Sequence, residues 1–191
     1  MTFANCITLS RIPLTFVIGL FFYASFPGSK IWSFGLYVLT ATTDWIDGWV
    51  ARKYHQISDF GKLMDALNDK IFIIAMFILL SGKSLIPPWG IFCVMIIICR
   101  EFFITGLRIL LAKSGIIMAA AKMGKLKTIL QFIVVGSYFF LAMVRADGTP
   151  MWVQSYVSLL EGINTFNFVL ATVLTLHSGF YYVHKYAAYL R

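Results

Sequence analysis

The chain carries only eight acidic residues among 191, and five of them crowd into residues 44–69; four of these, Asp44, Asp47, Asp65 and Asp69, are spaced as on helices. Asp44 and Asp47 are three apart, Asp65 and Asp69 four apart, so each pair shares one face of a helix. Gly48, Ala51 and Arg52 continue the first stripe at four, seven and eight residues from Asp44, and Gly61 begins the second. Two antiparallel helices joined by a short loop would merge the stripes into one cluster, floored by small residues and rimmed by Arg52. A carboxylate in a membrane helix costs about 2.5–3.5 kcal/mol, and four neighbours also repel one another. Arg52, Lys62 and Lys70 are too few and too peripheral to neutralise all four. Hard divalent cations fit this all-oxygen set, since magnesium takes one or two carboxylates, waters and phosphate oxygens. Four aspartates suit two such ions, about 3.5–4 Å apart, acting on a phosphoryl group. Acids that merely cap helix ends and pair with lysines would account for one or two of the four. They do not account for two matched stripes with three small residues.

A second charged set lies in CREFFITGLR (99–108) and AKMGKLKT (121–128). Arg100 and Arg108 are eight apart, close to one helical face, and Arg100 sits inside an apolar run. With Lys125 and Lys127 they suggest an anion pocket facing the carboxylates, in which arginine offers bidentate contacts to phosphate. Plainer roles compete with this one. Arg100 could pair with a glutamate to tie helices together, although its neighbour Glu101 is expected to point elsewhere on the helix. Arg108 could snorkel to the lipid interface, and the lysines could be ordinary cytoplasmic-side bases.

These residues need elements to hold them, and the composition defines those elements. The chain is 60% hydrophobic with a mean hydropathy of +0.82, and 13% of residues are charged, against about 25% in soluble domains. The reading is an all-α integral membrane protein, a single domain over residues 1–191, with six transmembrane helices. Apolar runs fall at 6–25, 31–50, 67–82, 87–111, 128–145 and 165–183, separated by Gly/Pro-containing or charged breaks. Residues 1–25 read as a retained first helix rather than a cleaved signal. Residues 151–164 fit either the start of the last helix or an interfacial segment with Trp152 and Tyr156. Ten basic residues fall in the even-numbered loops and the C-terminal tail, against three (Lys30, Lys83 and Arg145) in the odd-numbered loops. Both termini and the acidic cluster are therefore expected at the cytoplasmic side. The net charge of +8 fits basic loops on an anionic lipid surface; nothing resembles a nucleic-acid-binding module.

The remaining polar groups read as quiet. Cys6, Cys93 and Cys99 lack a CxxC pattern and are expected as buried thiols. His55 reads as a solvated loop residue. His177 and His184 are seven apart without a third ligand, a weak case for zinc. Gly106, Gly124, Gly136 and Gly179 are expected to permit close helix packing. A divalent-cation transporter would also carry intramembrane acids, but distributed through the membrane depth rather than gathered at one level.

Residues 44–69 read D-x2-D-G-x2-A-R-x8-G-x3-D-x3-D, and this resembles the signature of the CDP-alcohol phosphatidyltransferases, membrane enzymes of phospholipid headgroup synthesis. The resemblance implies two divalent metals, Mg2+ or Mn2+, with Asp44 and Asp65 bridging both, Asp47 on one, and Asp69 on the other. It makes Asp69 the general base as well. Gly48, Arg52 and Ser58 match positions that contact the CDP part of the lipid donor, with Ala51 and Gly61 beside them. An acceptor hydroxyl deprotonated by Asp69 would attack the β-phosphorus of CDP-diacylglycerol and release CMP. CREFFITGLR, G-K-x-K-T (124–128), N-x-I-T-L-S-R (5–11) and L-T-L-x-S-G-x-x-Y (174–182) are similar to the bacterial phosphatidylglycerophosphate synthase branch of that family. That similarity implies an enzyme of the bacterial inner membrane, its active site at the cytoplasmic side, with glycerol 3-phosphate as acceptor. Its phosphate would be held by Arg100, Arg108 and Lys125, and Asn5, Thr8 and Arg11 would line the donor side. It also implies a homodimer. A cardiolipin synthase of the same fold or an inositol-phosphate transferase stands as the alternative. Ala66 and Asn68 depart from the usual proline and alanine, at positions that periodicity turns away from Asp65 and Asp69.

Overall fold

In a computed structural model, residues 3–53, 59–116, 118, 122–146 and 151–189 are described; within them the side chains of 3–8, 44–53, 59–66, 122–123, 151–154 and 188 are not. The described residues form six helices and no strand: α1 (Phe3–Tyr23), α2 (Ser29–Lys53), α3 (Asp59–Gly82), α4 (Gly90–Lys113), α5 (Lys122–Ala146) and α6 (Met151–Tyr186), followed by a 3-10 turn. Each expected apolar run falls on one of them. α3 starts at Asp59 rather than near 67, because its helical register runs back through the charged stretch. α6 takes in 151–164, so that segment is the start of the last helix; its 36 residues reach about 54 Å. Among the described residues, Gly90–Lys113, Gly124–Ala146 and Ser155–Tyr186 are long and apolar enough to cross a membrane.

The connections follow from local chemistry. Gly28 takes φ +79° between α1 and α2, and the Lys30 ammonium donates to the Phe22 and Ala24 carbonyls at the end of α1. A cation there satisfies carbonyls that have no helical partner and meets the negative end of the helix. Pro87 and Pro88, which bring no backbone N–H, stand just before α4, which starts at Gly90. α4 stops in a Schellman motif: Gly115, at φ +74°, donates to Ala112 O at 3.0 Å, and Ile116 donates to Leu111 O at 2.9 Å. Ile116 then packs on a small cluster of Leu107, Leu111, Met118, Tyr182 and Tyr186, which binds the end of α4 to α6.

α1 packs against α2 and α3, α5 against α6 and α2, and α4 against α6, while α3 reaches α5 and α4. The main core lies where these meet. Tyr37 of α2 stacks on Phe72 of α3 and Phe139 of α5, and its hydroxyl donates to Phe132 O at 2.7 Å. Gly136 makes that approach possible, because a Cβ there would stand 3.0 Å from the Tyr37 ring. The outside is apolar, with Phe16, Leu20, Phe92, Phe166 and Phe180 exposed, whereas Ser33, Thr40, Gln131, Asn164, Thr175 and Ser178 are buried. Apolar side chains outside and polar ones inside are the arrangement expected of a bundle in lipid.

Candidate active site

A cavity of about 380 Å3 opens between α3, α4, α5 and α6, lined by Asp69, Arg100, Glu101, Arg108, Lys125 and Lys127 among others. Its wall counts five basic side chains, with Lys70 the fifth, against two acidic ones, a formal excess of three positive charges. The helices deliver them in order of depth. On α4, Arg108 is exposed near the helix end, and Arg100, two turns earlier, is buried. On α5, Lys125 is exposed and Lys127 is buried. The cavity therefore has an outer pair, Arg108 and Lys125, and an inner set.

The inner set is held by a network. Arg100 Nη1 donates to Glu101 Oε1 at 3.3 Å, and Arg100 Nη2 to Ser178 Oγ at 2.8 Å. Lys127 Nζ donates to the same Glu101 oxygen. Lys70 Nζ donates to Thr105 Oγ1. Each hydroxyl can only accept here, because its own proton is committed to a helix carbonyl: Ser178 to Thr175 O at 3.0 Å, Thr105 to Glu101 O at 2.7 Å. Gly179 makes room for Arg100, whose Cγ would lie 3.1 Å from a Cβ at that position. Gln131 lines the inner part and donates to Thr175 Oγ1 at 3.0 Å, joining α5 to α6.

Of the expected metal ligands, Asp69 is described. Its side chain is 35% exposed, lines the cavity and accepts from Arg11 Nη1 at 3.3 Å. Arg11 is buried on α1, so the first helix reaches the same carboxylate. Asp44, Asp47, Gly48, Ala51 and Arg52 lie on α2, and Gly61 and Asp65 on α3; their side chains are outside the described residues, as are those of Asn5 and Thr8 on α1. Ser58 and His55 lie outside the described residues altogether. Of the expected metal ligands only Asp69 has a described side chain, and its carboxylate is the kind of donor that hard divalent cations take. Asp65 and Asp69 are one turn apart on one continuous helix, and Asp69 offers oxygen to a cavity rich in phosphate-type donors.

Four expectations are corrected. Glu101 does not point away from Arg100: both side chains are buried on α4, and the two pair at 3.3 Å. Cys99 is exposed and Cys93 half-buried, since α4 turns Ile97 and Arg100 inward at the neighbouring positions. A Cβ added at Gly106 would meet nothing within 4 Å, so this glycine faces out of the bundle, and Gly124 is only in ordinary contact with Tyr182. Lys70, expected to be peripheral, is a wall residue of the cavity. Sequence reasoning did not assign Glu101, Ser178 or Gln131 to the site. The available signal was polarity recurring on the inward faces of otherwise apolar helices. His177 and His184 lie together on the exposed side of α6, away from the cavity.

A family model described as CDP-alcohol phosphatidyltransferase matches residues 1–177, and the chain belongs to that family. Within it, a Bacillus subtilis (strain 168) protein named CDP-diacylglycerol–glycerol-3-phosphate 3-phosphatidyltransferase is 34% identical, covering 85% of this chain and 92% of its own length. A Rickettsia bellii protein of the same name is 32% identical over the same shares. One from Sodalis glossinidius is 31% identical, over 93% of this chain and 91% of its own.

Proposed function

We propose that the protein transfers the phosphatidyl group of CDP-diacylglycerol to glycerol 3-phosphate, giving phosphatidylglycerophosphate and CMP. Family membership and the shared name of its relatives support the reaction. The observation that supports the acceptor is the cavity, where Arg100, Arg108 and Lys125 surround a space beside Asp69. A phosphate monoester needs such cations; serine, choline or ethanolamine would leave them uncompensated.

Asp44, Asp47, Asp65 and Asp69 would hold two divalent cations, Mg2+ or Mn2+, whose charge screens the donor pyrophosphate and the departing CMP. Arg11 orients the Asp69 carboxylate from α1. Asp69 takes the proton of the acceptor hydroxyl; the oxygen bonds to the phosphorus bearing diacylglycerol, and the bond from that phosphorus to CMP breaks. A carboxylate so placed is a weak base, so the fixed approach of hydroxyl to phosphorus supplies much of the acceleration. Gly48, Ala51 and Gly61 leave space for the nucleotide, with Arg52, Ser58, Asn5 and Thr8 on the donor side. The distribution of basic residues supports both termini and this site facing the cytoplasm of a bacterial inner membrane. In this family a homodimer is the assembly to look for, by sedimentation in detergent.

The test is purified protein with CDP-diacylglycerol, a divalent cation, and one acceptor at a time: glycerol 3-phosphate, inositol phosphate, phosphatidylglycerol or serine. CMP release is expected with glycerol 3-phosphate. Release with another alcohol and none with glycerol 3-phosphate would overturn the acceptor assignment.

A further inference from the structure

Among the described residues of the inner cluster, Glu101 is a buried acid with no direct part in the reaction proposed above. It is also the only acid among them, 7% exposed, against three cations: Lys70 of α3, Arg100 of α4 and Lys127 of α5. Its Oε1 accepts from both Arg100 and Lys127, so a single oxygen ties two helices. An ionised group stripped of water is costly unless its partners complete it. Here the balance stops short, because this one carboxylate is shared by two cations, Arg100 and Lys127, and leaves a formal positive excess that an anion such as a phosphate monoester can meet.

Geometry adds to the charge count. Arg100 spends Nη1 on Glu101 and Nη2 on Ser178, and each of these terminal nitrogens keeps a second hydrogen. Lys127 gives one of its three hydrogens to Glu101 and keeps two. Neither cation is thus used up by its anchor. Without the anchor, Arg100 and Lys127 would repel; Lys127 would be free to swing towards the mouth, where water is available, and Arg100 would be held by Ser178 alone. We propose that Glu101 is a positioning residue for the acceptor: it holds Arg100 and Lys127 side by side at the inner end of the cavity, so that their remaining hydrogens meet the phosphate of a phosphomonoester alcohol. This rests on the acceptor reading above. It also brings Lys127 into phosphate recognition alongside Arg100, Arg108 and Lys125, with Ser178 and Gly179 as the seat of Arg100.

The test is steady-state kinetics on purified Glu101→Gln, with glycerol 3-phosphate and CDP-diacylglycerol varied separately. The Michaelis constant for glycerol 3-phosphate should rise by about tenfold to a hundredfold, the range set by a charge-assisted hydrogen bond. The constant for CDP-diacylglycerol and kcat should change by less than about threefold, because neither substrate's reacting bond touches Glu101. The same substitution in a Lys127→Met background should cost clearly less than in the parent, since the group it positions is already gone. Ser178→Ala, which removes only the second anchor of Arg100, gives the same split at smaller size and covers the case in which Glu101→Gln does not fold. An unchanged glycerol 3-phosphate constant in both variants, or equal rises for both substrates, overturns the proposal. If the parent enzyme itself releases no CMP with glycerol 3-phosphate, it is the acceptor reading that fails instead.

Discussion

The α5 helix carries an ion pair to a glutamate near each of its ends, and the two are unlike. Near the start, Lys127 meets Glu101 of α4, with side chains 5% and 9% exposed. At the far end, Arg145 meets Glu161 of α6, with side chains 45% and 40% exposed. Water screens the outer pair and receives either charge if its partner is lost, so such a pair contributes little. The inner pair has no such reserve, and removing water from each of its ions costs several kcal/mol. Nor is it self-contained, because Arg100 shares the same carboxylate and Lys70 lines the same cavity. A bundle selected for stability alone would not keep an excess of cations between its helices. A site that takes in an anion has a use for it.

Removing charge from the cavity wall should therefore act on catalysis, and the largest effect belongs to Asp69. Asp69→Asn keeps the size and a carbonyl oxygen but loses the base, and CMP release should fall by about 10²–10⁴-fold. Binding of labelled CDP-diacylglycerol should largely persist. Near-normal turnover would take the base assignment away from Asp69. Arg108→Ala comes next. It should raise the glycerol 3-phosphate Michaelis constant by about tenfold or more while moving that for CDP-diacylglycerol far less. Equal shifts would mean that the outer cations serve general lipid-surface attraction instead of a phosphate pocket.

Legibility from sequence divides along the same line. The six helices were readable because apolar runs near 20 residues, cut by FPGSK and SGKSLIPP, are a strong signal in a chain this hydrophobic. That Arg100 and Arg108 share one space was readable from helical period and from the cost of a buried arginine, with Lys125 and Lys127 set beside them as a second basic pair. Glu101 was not. One residue from Arg100 it looks misplaced by periodicity, yet both side chains are buried on α4 and meet at 3.3 Å. Gly179 was expected as a close-packing glycine and is one, but neither it nor Ser178 named its partner: a hydroxyl or a glycine on α6 says nothing of the α4 side chain seated on it. The start of α6 was open because residues 151–164 mix apolar and polar positions, and helix continuity there is set by packing.

The middle of α5 gives a control without charge. Gly136→Ala would place a Cβ 3.0 Å from the Tyr37 ring, in a stack that also holds Phe72 and Phe139. Overpacking of this kind costs about 1–3 kcal/mol, so the detergent-solubilised protein should melt earlier. Both Michaelis constants should stay near the parent values, because the substitution alters packing and leaves the cavity wall intact. A selective loss of glycerol 3-phosphate affinity would show that the aromatic stack and the cation cluster are mechanically coupled.

The smallest effect is expected at the far end, and it is the one that makes the contrast quantitative. Arg145→Ala and Glu161→Gln each break a pair whose members are close to half exposed. The survivor in either case gains water, so each single change should cost at most about 1 kcal/mol, and less in high salt. The double variant should match the sum of the singles within about 0.5 kcal/mol. Activity should not move, since the pair lies at the opposite end of α5 from Lys125 and Lys127. If these variants instead lowered stability as much as Gly136→Ala, the outer pair would have to sit in a far drier setting than its exposure indicates. Burial would then no longer separate the two ends of α5.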